Sequence, residues 1–316
     1  MKAELVPVIT GTALQLAEQA TADFIAASKA KATNKAYAAD WRDFETWCGS
    51  AGKASVPAEP LTVATYLSSL ATSGRKVSTI RRRIASIGAQ HRAGGHNNPC
   101  SHEGVRATLS GIGRQIGSAP KKKAALTAEL LAKSVRKIPQ DLAGLRDRAI
   151  LLLGFAAALR RSEIVALNVE DLERHPKGLV VHVRRSKTDQ KGEGLQKAVP
   201  HGRKLHAIAA VDAWLRAAGI TSGPVFRAVR GSTVKPTRLS DKQVARIVKA
   251  RAAAIGLDAG SFGGHSLRSG YITTADEHGA SLKRIGSHVG HSKVETTAGY
   301  VQIGDAFRDH SGKGFL

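Results

Sequence analysis

At 316 residues the chain is long enough for two domains, each with a core of its own. Lysine and arginine number 48 against 25 aspartates and glutamates, and the net charge of +23 calls for a polyanionic partner. The basic residues run along the whole chain instead of gathering on one amphipathic helix, and the longest apolar run, 149–159, is far short of a bilayer span; this argues against a membrane surface and for nucleic acid.

The first residues carry no signal-peptide pattern, so a cytoplasmic, nucleoid-associated protein is expected. Cys48 and Cys100 have neither metal nor disulfide spacing and read as plain thiols in a reducing compartment. Aromatic residues make up 4 %, too few to stack many single-stranded bases, which favours duplex DNA gripped through its phosphates.

Residues 1–12 read as a flexible N-terminus. From residue 13 to about 27, Leu14, Ala17, Ala20, Phe24 and Ile25 share one face of a helix. A second helix is expected over 33–48, where Tyr37, Trp41, Phe44 and Trp47 recur at three- or four-residue intervals as a core stripe and Gly49 ends the pattern. Pro57 and Pro60 mark a loop before a short helix over 61–70. A helix over 77–93 carries Ile80, Ile84 and Ile87 on one side, and a further helix runs from His102 to about Ile116. Residues 13–117 are therefore expected to form an all-helical domain.

Arg81, Arg82 and Arg83 have two readings: a solvated helix face, or contacts to phosphates or a groove. In so basic a chain the second is preferred, and Lys35 and Arg42 are weaker candidates of the same kind. Gly, Ser and Pro followed by Lys121, Lys122 and Lys123 fit an exposed linker over 118–125. Those lysines either keep the linker solvated or touch DNA as it passes between two domains.

The second domain is placed at 126–304. Helices are expected over 127–137 and 141–157, the latter apolar nearly all round at Ile150–Leu153 and Phe155 and so central to the core. A short helix through 162–167 follows. Strands over 180–184 and 197–200 flank a polar, glycine-containing tip. Helices over 204–217 and 240–255 come next, then three short helices in succession. The fold class expected is mainly α with a small β-sheet.

The chemistry sits in the stretch from Gly263 to Tyr300. It holds His265 and Arg268 in a His-x-x-Arg pair, Gly290-His291 after 23 residues, and Tyr300 nine residues further on. Upstream lie Arg160 in LRRSE and Lys187 in the hairpin-like tip. Cutting a phosphodiester without a metal needs a nucleophile, positive donors on the non-bridging oxygens, and an acid for the leaving oxygen. Arginine suits the second task, because its planar fork stays charged and donates two hydrogen bonds to one phosphate. The chain shows no paired-carboxylate cluster, Cys/His ligand spacing or Walker-type loop, so no metal or other cofactor is expected.

LRRSEIVAL, the hairpin lysine, HSLR, GHS and TTAGY stand in the order and approximate spacing of the tyrosine site-specific recombinases, the phage-integrase, Xer and Cre family, which this chain resembles. The resemblance covers about 127–304 and extends more loosely to the helical N-terminal domain, similar to the family's core-binding domain. It implies a catalytic domain of α+β type and a metal- and ATP-independent reaction through a 3′-phosphotyrosyl intermediate. It also implies double-stranded DNA with an inverted-repeat site as substrate, and a homotetramer on that DNA.

Residue by residue, the resemblance makes Arg160 and Arg268 clamps on the scissile phosphate, and Glu163, three residues after Arg160 on the same helical face, a residue that orients that region. Lys187 becomes the acid to the leaving 5′-oxygen, His265 a helper in deprotonating the nucleophile, His291 a phosphate donor, and Tyr300 the nucleophile. The chain departs from the family pattern at three points. Ala158 stands where glycine is usual and Arg161 follows Arg160, though the Leu-Arg-x-x-Glu register selects Arg160. Lys191 is a second lysine in the tip, and position near the strand end selects Lys187. His288 precedes Gly290-His291, and the spacing to Tyr300 selects His291.

Each feature alone has a plainer reading: an Arg–Glu salt bridge, a helix-capping histidine, a core tyrosine. Tyr271, three residues after Arg268, is the one rival nucleophile. Beyond Tyr300, Val301, Ile303 and Phe307 offer an apolar face, and the resemblance implies that 305–316 form a tail docking on a neighbouring protomer. Two other functions compete: a type IB topoisomerase or telomere resolvase, and a non-catalytic duplex-binding protein of the same fold.

Overall fold

The computed structural model describes residues 11–28, 30–117, 123–184, 194–291 and 294–299. By compactness the chain divides into two units, Met1–Lys121 and Lys122–Leu316, and the division falls inside the lysine-bearing segment.

The first unit is all helical: α1 (Gly11–Ala27), α2 (Lys31–Ser50), α3 (Pro60–Thr72), α4 (Val77–Ala93) and α5 (Glu103–Ile116). Pro60 starts α3 at a position where its missing N–H is no loss. The His102 side chain accepts from the Gly104 N–H and caps α5. Phe44 from α2, Tyr66 and Leu67 from α3, and Ile80 and Ile87 from α4 are wholly buried, with Trp41 and Trp47 packed against them. The aromatic stripe is thus the core face of α2. The apolar face of α1 behaves differently: Phe24 is 76 % and Ile25 69 % exposed, and Leu14 is exposed too. The spacing makes α1 amphipathic without giving its apolar face a place in the unit's core.

The basic run on α4 is divided by the helix's rotation. Arg81 points to solvent. Arg82 donates to both oxygens of Asp40 at 2.6 and 2.9 Å. Arg83, expected as a DNA contact, is 8 % exposed and donates to the Tyr66 hydroxyl at 2.6 Å and to Asp43 Oδ2 at 2.9 Å. That expectation is corrected for Arg83: 100° per residue turns it inward, where two carboxylates and a phenol hold it and stitch α2 to α4. Burial, then the hydrogen bond to Asp43, pushes the Tyr66 hydroxyl well above its usual pKa.

The second unit opens with α6 (Ala128–Arg136) and α7 (Leu142–Ala156), then α8 (Arg161–Ala166). Asp141 caps α7 by accepting from the Gly144 N–H. Ala149 to Phe155 are buried on every side, so α7 is the hub, with α9 (Ala207–Ala217) and α11 (Ser266–Glu277) packed on it. Strands β1 (Leu172–His175), β2 (Gly178–Val183) and β3 (Leu195–Pro200) form one antiparallel sheet in the order β1-β2-β3. Val181 is opposite Leu172 on one side and Lys197 on the other.

A second, two-stranded sheet pairs β4 (Arg227–Arg230) with β5 (Thr233–Arg238) and leads into α10 (Asp241–Ala253). The unit ends in α12 (Leu282–Val289) and α13 (Val294–Ala298). The first strand and the second sheet were not expected. β1 is LERH and mostly exposed, and β5 carries a proline and is exposed at five of six positions, so neither shows apolar alternation.

The N-terminal segment of this unit is pinned to the start of α11. Ala124 N–H donates to Ser261 O and Leu126 N–H to Ser266 O, and Lys123 donates to the Gly260 carbonyl. Leu126 lies so close to α11 that a Cβ on Gly270 would fall 1.9 Å from its carbonyl oxygen. Only glycine fits there, which accounts for the small residue in HSLRSG.

Candidate active site

The site lies beyond the C-terminal end of α7, where two helix ends of the same design face each other. The α7 helix closes in a Schellman turn. Ala158 N–H donates to Phe155 O and Leu159 N–H to Gly154 O, both at 2.9 Å. Such a turn needs a left-handed residue, and Ala158 has φ of +48°, the one non-glycine with positive φ among the described residues. The glycine usual at this position is replaced, and the Ala158 methyl is wholly buried in a cluster with Ile272, Ile285 and Val289. Packing of the methyl offsets the left-handed strain, roughly 1 kcal/mol on each side.

The α12 helix ends the same way. Gly290 N–H donates to Ser287 O at 3.2 Å and His291 N–H to Gly286 O at 3.0 Å, with Gly290 at φ +73°. Each turn delivers its following residues, Leu159-Arg160 and His291, into one place.

Arg160 sits at the N-terminus of α8. Its backbone N–H donates to Glu163 Oε2 at 2.8 Å, and its Nη1 donates to Glu163 Oε1 at 2.6 Å. Glu163 is 3 % exposed. Burial works to raise its carboxyl, but the Arg160 N–H and guanidinium, helped by the charge of Arg268, outweigh that and hold it below the usual carboxylate range. Arg268, in the first turn of α11, is fully buried, and its Nη1 donates to the Ala158 carbonyl at 2.9 Å. The left-handed residue therefore aims the oxygen that orients the second arginine. His265 precedes α11 and is exposed at the mouth.

His291 is half-buried, and its Nδ1 lies 2.9 Å from the Thr297 hydroxyl, itself wholly buried. Burial first, then the charges of Arg268, Arg160, His265 and Lys197, lower its pKa to about 4. His291 is thus a neutral imidazole at pH 7. When Thr297 donates to Nδ1, the proton sits on Nε2 and His291 becomes a neutral donor.

The charges of Arg160, His265 and Arg268 all act on His291, and Arg268 meets the carbonyl two residues before Arg160. Lys187 and Tyr300 lie outside the described residues, as do Lys121, Lys122, Lys191 and the segment 305–316. The rival tyrosine is accounted for. Tyr271 stacks on His288 at 4.6 Å between ring centroids and meets Phe155 edge-on at 5.8 Å, and burial raises its pKa. His288 lies within 3.0 Å of the Ala156 carbonyl, so its Nε2 carries a proton donated to the α7 end, and burial lowers its pKa. Both are packing groups.

Two residues of the site were not foreseen. Thr297 belongs to the TTAGY motif but was read only as a marker of the tyrosine. Lys197 is 2 % exposed in β3, and its Nζ donates to the His288 carbonyl at 2.6 Å. The signal for Lys197 was available: Leu195, Lys197 and Val199 share the inward side of an alternating strand.

Lys35, Arg42 and Arg81 are exposed on the first unit, and Arg82 is half-exposed beside Asp40. Among the described residues no three His, Cys, Asp or Glu side chains come together as a metal-binding group, and no helix is long and apolar enough to cross a membrane.

Comparison with known proteins places this geometry. Residues 126–306 match the model of the phage integrase family. The chain is 38 % identical over 291 residues to an integrase/recombinase XerD homolog of Selenomonas ruminantium, covering 90 % of this chain and 85 % of that one. It is 29 % identical over 281 residues to tyrosine recombinase XerC of Pelobacter propionicus, covering 86 % and 84 %. Among solved structures, the XerH site-specific recombinase bound to palindromic difH substrate aligns with a TM-score of 0.59 at 14 % identity, over 80 % of this chain and 69 % of that one. The Tn1549 transposon integrase in complex with transposon right end DNA aligns with a TM-score of 0.56 at 17 % identity, over 81 % and 85 %. At these identities the solved structures share the fold.

Proposed function

Since the chain belongs to the phage integrase family of tyrosine recombinases, enzymes that cut and rejoin DNA, we propose that it recombines duplex DNA through Tyr300. The Tyr300 oxygen attacks the scissile phosphorus. A 3′-phosphotyrosyl bond forms, the bond to the 5′-oxygen breaks, and the leaving oxygen takes a proton from Lys187. Rejoining is the reverse, with the 5′-hydroxyl of the partner strand as attacker. One phosphodiester-type bond is exchanged for another, so neither ATP nor a metal is consumed.

Arg160 and Arg268 neutralise the non-bridging oxygens as charge builds on them. Glu163 fixes the Arg160 fork, and Ala158 O fixes that of Arg268. His291, kept neutral by burial and by its cationic neighbours, donates to the phosphate without giving up a proton. His265 at the mouth assists in removing the proton from Tyr300, whose ordinary pKa of about 10 is otherwise too high for neutral pH. The observation that carries this reading is the convergence of two arginines and a neutral histidine, each oriented by a specific partner, on one spot.

The helical first unit acts as the core-binding domain, with Lys35, Arg42, Arg81 and Arg82, together with Lys121, Lys122 and Lys123, facing phosphates. The target is an inverted-repeat site bound by a homotetramer in the nucleoid, and residues 305–316 dock on the neighbouring protomer.

Covalent trapping tests the chemistry. Wild type is incubated, without metal or ATP, with nicked duplex selected for binding from a random-sequence pool. The expected result is a denaturation-resistant adduct that disappears in Tyr300→Phe. An adduct that persists in Tyr300→Phe refutes the assigned nucleophile. Tight binding with no adduct favours the non-catalytic reading, and relaxation of supercoiled DNA lacking any selected site favours the topoisomerase.

A further inference from the structure

Lys197 occupies a position that strand chemistry would give to an apolar residue. It lies on the inward side of β3 between Leu195 and Val199, opposite Val181, and is 2 % exposed. Its ammonium does not reach solvent. It donates to the His288 carbonyl at 2.6 Å, in the last turn of α12. A cation at a helix C-terminus meets the negative end of the dipole and a carbonyl that the helix leaves unpaired.

A second contact lies two residues away along each chain. A Cβ on Gly290 would fall 2.9 Å from Leu195 Cδ1, so Leu195 lies directly on the turn that Lys197 grips. The next residue is His291, held in turn by Thr297. Strand β3 is the antiparallel partner of β2, and Lys187 lies in the stretch of sequence between them. One strand therefore fastens this strand pair to the turn that presents His291.

We propose that Lys197 is a positioning residue for strand cleavage: by tying β3 to the end of α12 it sets His291, and the segment that follows it, relative to the two phosphate-clamping arginines. This rests on the recombinase reading above.

The placement is costly, which sets it apart from ordinary core packing. The charged groups facing Lys197 are Arg268 on α11 and Arg160 and Glu163 at α8, and the titratable imidazoles of His288 and His291 face it from α12 and its end. Burial first, then Arg268 and Arg160, lower the Lys197 pKa to about 8, with only Glu163 opposing. A leucine or methionine would fill the strand position without this penalty but would leave the α12 carbonyl without its donor.

The test uses full-length Lys197→Met and Lys197→Arg. Hydrogen exchange of the free protein reads the tie directly. In Lys197→Met, amides over 286–291 and 294–299 should exchange at least about tenfold faster, while α7 and α9 are unchanged. With the selected nicked duplex, Lys197→Met should bind within about twofold of wild type yet form the adduct at least about tenfold more slowly, as expected of a displaced catalytic group.

Lys197→Arg should recover part of the rate. Relative to wild type it should gain as pH rises through about 8, where the wild-type lysine loses its charge and arginine keeps its own. Unchanged exchange over 286–299, or adduct formation by Lys197→Met at the wild-type rate, overturns the proposal. So does a loss of rate that merely tracks a lower melting temperature, since Lys197 would then be structural. No adduct from wild type refutes the recombinase reading instead, and the exchange result still judges the tie.

Discussion

Replacing Lys197 by methionine should stabilise the folded protein at pH 7, even as it slows cleavage. The folded pKa is about 8 against an ordinary 10.5, a difference of about 2.5 units. At 1.36 kcal/mol per unit, burying the charged ammonium costs about 3 kcal/mol relative to the unfolded chain. Between pH 8 and 10.5 the unfolded chain binds the proton and the folded one does not. Stability therefore rises with pH across that window, and the whole penalty stands below it.

Methionine has similar length and no charge, so it removes the penalty. It also gives up the hydrogen bond to the His288 carbonyl, about 1–2 kcal/mol that does not vary with pH. The net at pH 7 is a gain of about 1–2 kcal/mol, which in a unit of this size raises the melting temperature by roughly 2–8 °C. By pH 10.5 the advantage should vanish or reverse. Thermal melts of both proteins at pH 7, 8, 9 and 10, taken as differences so that other titrating groups cancel, provide the assay. A variant less stable than wild type at pH 7, by an amount that does not change with pH, would refute the reasoning.

Thr297→Val removes the hydroxyl from His291 Nδ1 and leaves the ring free to turn; adduct formation should fall roughly tenfold with duplex binding unchanged, read in the trapping assay. Arg83→Ala should cost about 2 kcal/mol of stability in denaturant melts, because Asp43 and the buried Tyr66 hydroxyl lose their donor while Asp40 keeps Arg82. Arg81→Ala should leave stability within about 0.5 kcal/mol and lower the salt slope of DNA binding by about 1, the signature of one lost phosphate contact. Because the Glu163 carboxyl is held below its ordinary pKa, its contribution is complete above about pH 4.5 and is lost as pH falls through the depressed folded value. Glu163→Gln should flatten the acid limb of the stability profile.

Much of this protein was legible in its residues. The aromatic spacing predicted the core face of α2 at Trp41, Phe44 and Trp47, with Tyr37 only partly buried outside that cluster, and the all-round apolar run at 150–155 predicted the central helix. Both follow from helical period alone. The family was legible too, because its motifs combine residue types whose chemistry is specific and whose order is improbable by chance.

What periodicity could not supply was the partner of each face. The apolar positions of α1 share a side as expected, yet remain exposed, since amphipathicity says nothing about what lies opposite. Arg81, Arg82 and Arg83 are adjacent and chemically equal. Only the position of Asp40 and Asp43 on a helix 40 residues away makes one of them a core residue. β1 and β5 are mostly exposed and β4 is partly buried along most of its length, so none of the three shows apolar alternation.

At the candidate site, the motifs pointed to Arg160, Arg268 and His291, and tertiary structure decided how these three are held. The Ala158 turn aims a carbonyl at Arg268. Burial, helped by charges from three separate elements, keeps His291 neutral. A lysine that the sequence places only in a strand is buried and donates to the His288 carbonyl at the end of α12. Charge and hydrogen-bond geometry act through space, and residues 160, 197, 268 and 291 become neighbours only when the chain folds.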